Sequence, residues 1–254
     1  YPNLRILDLE DNNFSGEIHN WYAPNLRVLR LGVNNFSGEI PDFNYPKLYS
    51  LFISSSNLKG DIPLFTSNEL REVNITYSEI SGSIPNLPSE SLEYISLYSN
   101  KLTGGIPSFN SVKIDRAIFS NNLLSGEINI KLKQQGLLMV ENNKFTFGKL
   151  EKYTKVTNHF HYSPQDTILP IVQNNKGIEV VVDGSANTYQ WYKNGEPIEG
   201  ENSKVLNFEN VNGTVKCEVK NTILPKLTLW SEDYILTSVN EKETTFSVIK
   251  ERDR

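Results

Sequence analysis

Hydrophobic residues return in a fixed order through the first 155 residues. In the clearest stretch Leu26, Leu29 and Leu31 are followed by Asn34, Phe36, Gly38 and Ile40, with mostly polar residues between them. The leading position recurs at Leu4, Leu26, Leu48, Leu70, Leu92 and Ile114 with a step of 22, then at Gln135 after a step of 21. A period of this length belongs to a stack of similar coils, none of which can bury its apolar face alone. The segment is therefore predicted as one solenoid of seven repeats. Each repeat carries an alternation such as Leu7-Asp8-Leu9 or Ile95-Ser96-Leu97. That alternation predicts a short strand with two side chains inward and the residue between them outward.

The positions between strands predict how the coil closes. Asparagine stands after the strand at Asn12, Asn34, Asn100, Asn122 and Asn143, with Ser56 and Ser78 replacing it in the third and fourth repeats. Its amide can serve the backbone groups of a buried turn. Glycine at 16, 38, 60, 82, 104 and 126 suits a tight bend, and proline at 41, 63, 85 and 107 stops a hydrogen-bonded ladder. The back of the coil is thus expected to be mostly turn and short 3-10 segments. A second apolar column, Trp21, Phe43, Phe65, Leu87 and Phe109, is expected to fill it as a spine.

The Leu-x-x-Leu-x-Leu-x-x-Asn core ends in Ser-Gly-x-Ile at 15–18, 37–40, 81–84 and 125–128, and in weaker form at 58–62 and 102–106. This resembles the leucine-rich repeat with the Ser-Gly-x-Ile-Pro ending best known from plant receptor ectodomains. The resemblance implies an α/β-type solenoid of short parallel strands whose concave face carries the variable, partner-contacting residues. The chain opens at Tyr1-Pro2-Asn3-Leu4, inside a repeat and without a cap, and so reads as a piece of a longer protein.

Beyond residue 165 the leucine spacing stops. Strand-type runs at 168–172, 178–182, 189–192, 204–208, 214–219 and 227–230, separated by turn residues, predict an all-β sandwich. Gln190-Trp191-Tyr192-Lys193-Asn194-Gly195 and Val215-Lys216-Cys217-Glu218-Val219 resemble strands C and F of an immunoglobulin-like domain. The resemblance implies a central Trp191 and a buried Cys217 facing the Val180 position, with Val215 where a tyrosine corner is usual. Cys217 is the only cysteine, so no intrachain disulfide can form. The expected organisation is a solenoid over 1–155, a linker over 156–165, the immunoglobulin-like sandwich over 166–238, and a polar tail or linker over 239–254. This pairing is similar to modular bacterial secreted or cell-surface proteins, which implies an extracellular or surface location.

Charge changes this picture little. The chain has 25 Lys and Arg against 30 Asp and Glu, a net charge of −5 made of −1 over residues 1–162 and −4 over 163–254, so no basic face for nucleic acid is expected. No apolar run reaches the length of a membrane span. No phosphate loop, nucleophile elbow or zinc-protease motif occurs. His159 and His161 would share one strand face, but no third ligand lies nearby, so no metal or cofactor is expected. A buried Cys217 would be inert. The sequons at Asn13, Asn35, Asn74 and Asn212 are largely a product of an asparagine-rich repeat.

Chemistry is instead expected on the outward positions of the strands. These include Ser50, Phe52 and Ser54; Glu72, Asn74, Thr76 and Tyr77; Tyr94, Ser96 and Tyr98; and Arg116, Ile118, Ser120, Leu137, Met139 and Glu141. With strands about 4.8 Å apart, Phe52, Tyr77, Tyr94 and Tyr98 would fall on three neighbouring strands among small polar residues. Phe52, Glu72, Asn74, Tyr77, Tyr94, Tyr98 and Arg116 are therefore the candidate ligand-binding residues. The expected function is a non-catalytic recognition or adhesion module that binds a protein partner. Two alternatives stand beside it: an accessory carbohydrate-binding segment of a larger polysaccharide-degrading enzyme, and a passive structural spacer.

Overall fold

The computed structural model describes residues 1–54, 57–112, 114–174, 177–207 and 212–236. The chain forms two compact units, Tyr1–Phe145 with Lys152–Asp166, and Thr146–Glu151 with the chain from Thr167 onward. The first unit runs through β1 (Ile6–Asp8), β2 (Ser15–Glu17), β3 (Val28–Arg30), β4 (Asn35–Glu39), β5 (Ser50–Ser54) and β6 (Asn57–Gly60). It continues through β7 (Glu72–Thr76), β8 (Glu79–Ile80), β9 (Tyr94–Ser96), β10 (Ile114–Ile118), β11 (Leu132–Met139) and β12 (Phe160–His161). Eight of these strands form one front sheet in the order β1-β3-β5-β7-β9-β10-β11-β12. All its pairings are parallel, which makes a parallel-strand solenoid of about seven turns.

The back of the coil departs from expectation. The segments at the bend glycines of the first two turns, and those leading into them in the next two, pair as a second parallel sheet, β2-β4-β6-β8, continued by single bridges at Ser83 to Thr103 and Ile106 to Ile128. Among the described residues, helix is confined to α1 (Phe147–Leu150) and a 3-10 turn at Glu151–Lys155. The unit is therefore all-β in substance, not α/β. Only seven residues separate Ile40 from Leu48, and Pro41 is one of them, which leaves too few amides for a helix. No helix among the described residues is long and apolar enough to cross a membrane.

The core follows the repeat. Leu29, Leu31, Leu51, Ile53, Val73, Ile75, Ile95, Leu97, Ala117, Phe119, Leu138 and Val140 point inward and are buried, as are the spine residues Phe43, Phe65, Leu87 and Phe109. Between these layers runs a ladder of side-chain amides. Asn122 Nδ2 donates to Leu97 O (2.9 Å) and Phe119 O (3.0 Å), and its Oδ1 accepts from Leu102 N (3.0 Å). Asn34, Asn100 and Asn143 repeat this geometry, each joining two successive turns. The Ser78 hydroxyl donates to Thr76 O of its own turn (3.2 Å), and Ser56 lies outside the described residues.

Two features of the end of the solenoid differ from the sequence reading. Gln135 does not enter the core: it is exposed at φ 64°, and the 21-residue step appears as a register shift between β10 and β11. Residues 156–165 are not a linker. They carry the eighth front strand, β12, with Thr157, Tyr162 and Gln165 buried around it and Gln165 taking the asparagine role. Gln165 Nε2 donates to Val140 O (2.8 Å) and Tyr162 O (2.7 Å), and its Oε1 accepts from Phe145 N (3.1 Å).

The second unit contains β13 (Ile168–Leu169), β14 (Ile171–Asn174), β15 (Gly177–Val180), β16 (Asn187–Lys193) and β17 (Glu196–Pro197). Then follow β18 (Val205–Asn207), β19 (Gly213–Asn221), β20 (Thr228–Ser231) and β21 (Tyr234–Leu236). One sheet has the order β13-β20-β19-β16-β17 with β21 also on β19, and the other is β14-β15-β18. Pro170 separates β13 from β14, where the chain leaves one sheet for the other. Trp191 and Cys217 are cross-strand partners and both are fully buried. Burial pushes the Cys217 thiol up to about 12, so it is inert as a nucleophile at neutral pH. The expected tail at 239–254 and the end of the 204–208 run lie outside the described residues.

The short segment Thr146–Glu151 belongs to this second unit, where Gly148 N donates to Asp183 Oδ1 (3.0 Å) and the Glu151 carboxylate gathers three donors. Glu151 accepts from Ser185 N (2.8 Å), Ser185 Oγ (2.7 Å) and Asn221 Nδ2 (2.7 Å). Burial alone would raise its pKa, but the donors from Ser185 and Asn221 outweigh it and hold the carboxyl below its ordinary 4.5. A group with a lowered folded value contributes stability above its unfolded value and loses it as pH falls through the folded one. The stability difference between wild type and Glu151→Gln should therefore be largest near neutral pH and shrink progressively below about 4.5. Urea titrations at stepped pH test this; a gap that stays constant down to pH ~3 would show that charge plays no part in the contact.

Candidate functional site

The register of the front sheet arranges its outward side chains in rows. The first row reads Ile6, Val28, Ser50, Glu72, Tyr94, Arg116, Leu137, and the second Asp8, Arg30, Phe52, Asn74, Ser96, Ile118, Met139, His161. Two residues further along each turn stand Glu10, Gly32, Ser54, Thr76, Tyr98, Ser120 and Glu141. Among the described residues the next one in the turn takes the left-handed conformation, with φ of 55° at Asp11, 53° at Val33, 52° at Tyr77, 57° at Ser99, 59° at Asn121 and 54° at Asn142. Such non-glycine residues cost of order 1 kcal/mol each. They persist because their amides are fixed to the following turn, as in Tyr77 N to Tyr98 O (3.1 Å) and Asn121 N to Glu141 O (3.1 Å).

This turn holds Tyr77 outward at 56% exposure, against the ring of Tyr98 in an edge contact of 5.1 Å and 66°. Beside the pair, Asn74 Nδ2 donates to the Tyr94 hydroxyl (3.4 Å) and Asn74 Oδ1 accepts from Thr76 Oγ1 (2.9 Å). Glu72 accepts from Ser50 Oγ (2.8 Å), and Glu72, Tyr94 and Arg116 are consecutive in the first row. Six of the seven candidates thus lie on β7, β9, β10 and the turn after β7 and β9. Phe52 does not join the tyrosines. Its ring leans over Gly32, where an added Cβ would lie 2.8 Å from Phe52 Cε1, so it packs toward the second turn.

The repeat puts Ser120 and Glu141 on this face but gives no sign of how deeply Ser120 is buried. Ser120 is 1% exposed, and its Oγ and Glu141 Oε2 are buried oxygens without a hydrogen-bond partner. That condition depends on neighbouring side chains and has no signature in the repeat. His159 and His161 sit on the β12 edge, and no group of three His, Cys, Asp or Glu among the described residues is placed to hold a metal. A groove of about 790 Å³ lies over the second sheet beside Glu17, Glu39 and Lys59, and a recess of about 330 Å³ beside Arg5, Asn25, Arg27 and Lys47. Both belong to the first three turns and neither includes the tyrosines.

The Leucine Rich Repeat family matches residues 3–23 and 91–111. A comparison with curated proteins returns no match. Among solved structures, the chain is similar to the plant peptide hormone receptor RGFR1 in complex with RGF2, with a TM-score of 0.57 and 26% identity over 66% of this chain and 29% of that one. It is also similar to the Arabidopsis receptor kinase HAESA in complex with the peptide hormone IDA and the co-receptor SERK1, with a TM-score of 0.55 and 29% identity over 65% and 30%. A TDR receptor shares the fold, with a TM-score of 0.57 and 21% identity over 67% and 32%. The chain therefore spans about three-tenths of the length of these receptors. Repeat and structure agree: the chain carries leucine-rich repeats wound into a parallel-strand solenoid.

Proposed function

We propose that the solenoid is a recognition module that binds a protein partner across the front sheet, with Tyr77 and Tyr98 at the centre of the contact. We read the second unit as an immunoglobulin-like sandwich that spaces this module on a larger extracellular or surface protein. The observation that carries the first reading is the exposed Tyr77 ring, held outward on a left-handed turn against Tyr98. A ring fixed before binding loses little entropy on contact, which is the property of interface anchors. Glu72 and Arg116 flank Tyr94 with opposite charges and would set the orientation of the partner. Two similar structures, RGFR1 and HAESA, were solved with RGF2 and with the peptide hormone IDA, which supports a protein ligand. The buried Trp191 and Cys217 pair supports the reading of the second unit.

The test is a randomised peptide library and a panel of extracellular proteins presented to wild type and to the Tyr77→Ala, Tyr98→Ala double variant. Two lost anchors at about 1–2 kcal/mol each predict a 30-fold or larger loss of affinity with an unchanged far-UV spectrum. Equal binding by both proteins would remove the tyrosines from the site. Binding to a glycan array that the same substitutions abolish would assign the face to carbohydrate instead.

A further inference from the structure

The first three turns converge on a recess that the tyrosine surface does not use. Its volume is about 330 Å³, and Arg5, Asn25, Arg27 and Lys47 line it. Arg5 and Arg27 hold the same place in successive turns, one residue before β1 and β3, and the backbone fixes their spacing: Arg27 N donates to Arg5 O (2.8 Å) and Tyr49 N to Arg27 O (2.7 Å). Lys47 stands one turn after Asn25. Its Nζ donates to Asn25 Oδ1 (2.8 Å), while Asn25 Nδ2 donates to Pro2 O (2.7 Å). Cationic side chains from three turns therefore surround one open space, and Arg5, Arg27 and Lys47 are all exposed. The segments that carry them, 1–5, 23–27 and 45–49, contain no acidic residue. Among the described residues the carboxylate paired with this group is Glu69, 3.9 Å from Arg27 with both side chains about half exposed, a contact that contributes little. Further along the same column the charge is already engaged, because Arg71 pairs with Glu93 (3.2 Å) and lies over the Tyr49 ring (5.5 Å).

We propose that this recess binds the sulfate ester of an acidic glycan, at a site separate from the protein contact at Tyr77 and Tyr98. Like charges gathered around a concave space repel one another and focus a positive field into it, and a bound anion reverses that repulsion. Each guanidinium offers its N–H donors in a planar fork that matches paired oxyanion oxygens, and the ammonium adds a point charge. A sulfate ester carries three free oxygens, one for each cation. The lining includes neither a ring nor an aliphatic side chain. It therefore suits a ligand that is hydrophilic throughout, as a sulfated sugar is and the aromatic anchors of protein interfaces are not. The volume lies at the lower end of ligand pockets, which gives room for a sugar unit with its ester. With a net charge of −5 the chain as a whole repels polyanions, so their capture is the work of these residues.

The probes are a heparin-derived oligosaccharide, the same oligosaccharide after desulfation, and a glutamate-rich peptide, each titrated calorimetrically at low salt. Wild type should bind the sulfated chain, bind the desulfated one about tenfold or more weakly, and lose affinity as salt is raised. Arg5→Gln and Arg27→Gln should each weaken binding about tenfold. Lys59→Gln removes the same charge from β6 of the second sheet and should change binding by less than about twofold. Glu69→Gln releases Arg27 and should strengthen binding by about twofold or more, an effect that a damaged fold cannot imitate. Equal affinity for the desulfated chain, unchanged binding by both arginine variants, or an equal loss in Lys59→Gln would each overturn the proposal. A glutamate-rich peptide that binds more tightly than the oligosaccharide would overturn it in favour of an acidic protein segment. Loss of the oligosaccharide in the Tyr77→Ala, Tyr98→Ala variant would overturn it by moving the glycan to the tyrosines.

Discussion

Replacing Asn122 with alanine is expected to destabilise the solenoid by about 3–5 kcal/mol, far more than a typical polar truncation. The side chain occupies the interior at 5% exposure and serves Leu97 O, Phe119 O and Leu102 N at once. Alanine leaves two carbonyls and one amide, each worth about 1–3 kcal/mol when stranded away from water, and local relaxation recovers only part of the sum. Its amide also joins two turns, so the loss falls on the stacking that holds every coil. Asn12→Ala is the control. Asn12 is exposed and bonds only Leu9 O and Glu10 O of its own turn, so its loss should stay below ~1 kcal/mol. Urea unfolding of the two variants decides the matter: equal midpoints would mean that the ladder contributes nothing beyond surface hydrogen bonding.

The same ladder explains what could be read in the sequence and what could not. Leu29, Leu51, Val73 and Ile95 announce themselves because a 22-residue step repeats one packing problem with one kind of residue. The eighth strand solves the same problem with different residues. Thr157 stands 22 residues after Gln135 and keeps the period, but Thr157, Phe160, Tyr162 and Gln165 replace all three leucines and the asparagine. Gln165 is one methylene longer than asparagine and still reaches Val140 O and Tyr162 O. Spacing carried the signal there, and residue type hid it. The second sheet left no signal because its pairing uses backbone amides and places no demand on side chains beyond glycine at the bend.

For the candidate site, membership of a row was legible and condition within it was not. The parallel register places Glu72, Tyr94 and Arg116 side by side whatever their identities. Whether a ring stands up or lies down depends on its neighbour. Phe52 lies over Gly32 because glycine leaves room for it, whereas Tyr77 is held outward by a backbone turn. Ser120 looks like Ser96 in the sequence, yet its hydroxyl is the one left buried without a partner. The distinction arises from packing across three strands, which a periodic reading of one chain does not resolve.

In the second unit the largest expected effect comes from Trp191→Ala. Trp191 heads the fully buried side chains by size, stands opposite Cys217 across β16 and β19, and donates from Nε1 to Ser203 O (2.9 Å). Truncation of a buried tryptophan costs about 3–5 kcal/mol, and the stranded Ser203 carbonyl adds about 1–3. Trp191→Phe retains most of the apolar contact and should lose about 1–2 kcal/mol. Cys217 makes the measurement specific to this unit, because it is the only thiol in the chain and is fully buried with its ionisation pushed up to about 12. A thiol reagent can reach it only when the surrounding strands open. A loss of about 4 kcal/mol raises the open population roughly 10³-fold, so labelling of Trp191→Ala should outpace wild type by about that factor, with Trp191→Phe about tenfold above wild type. Labelling of Trp191→Ala as slow as wild type would mean that the sheets hold Cys217 closed without the indole, and that the core of this unit lies elsewhere.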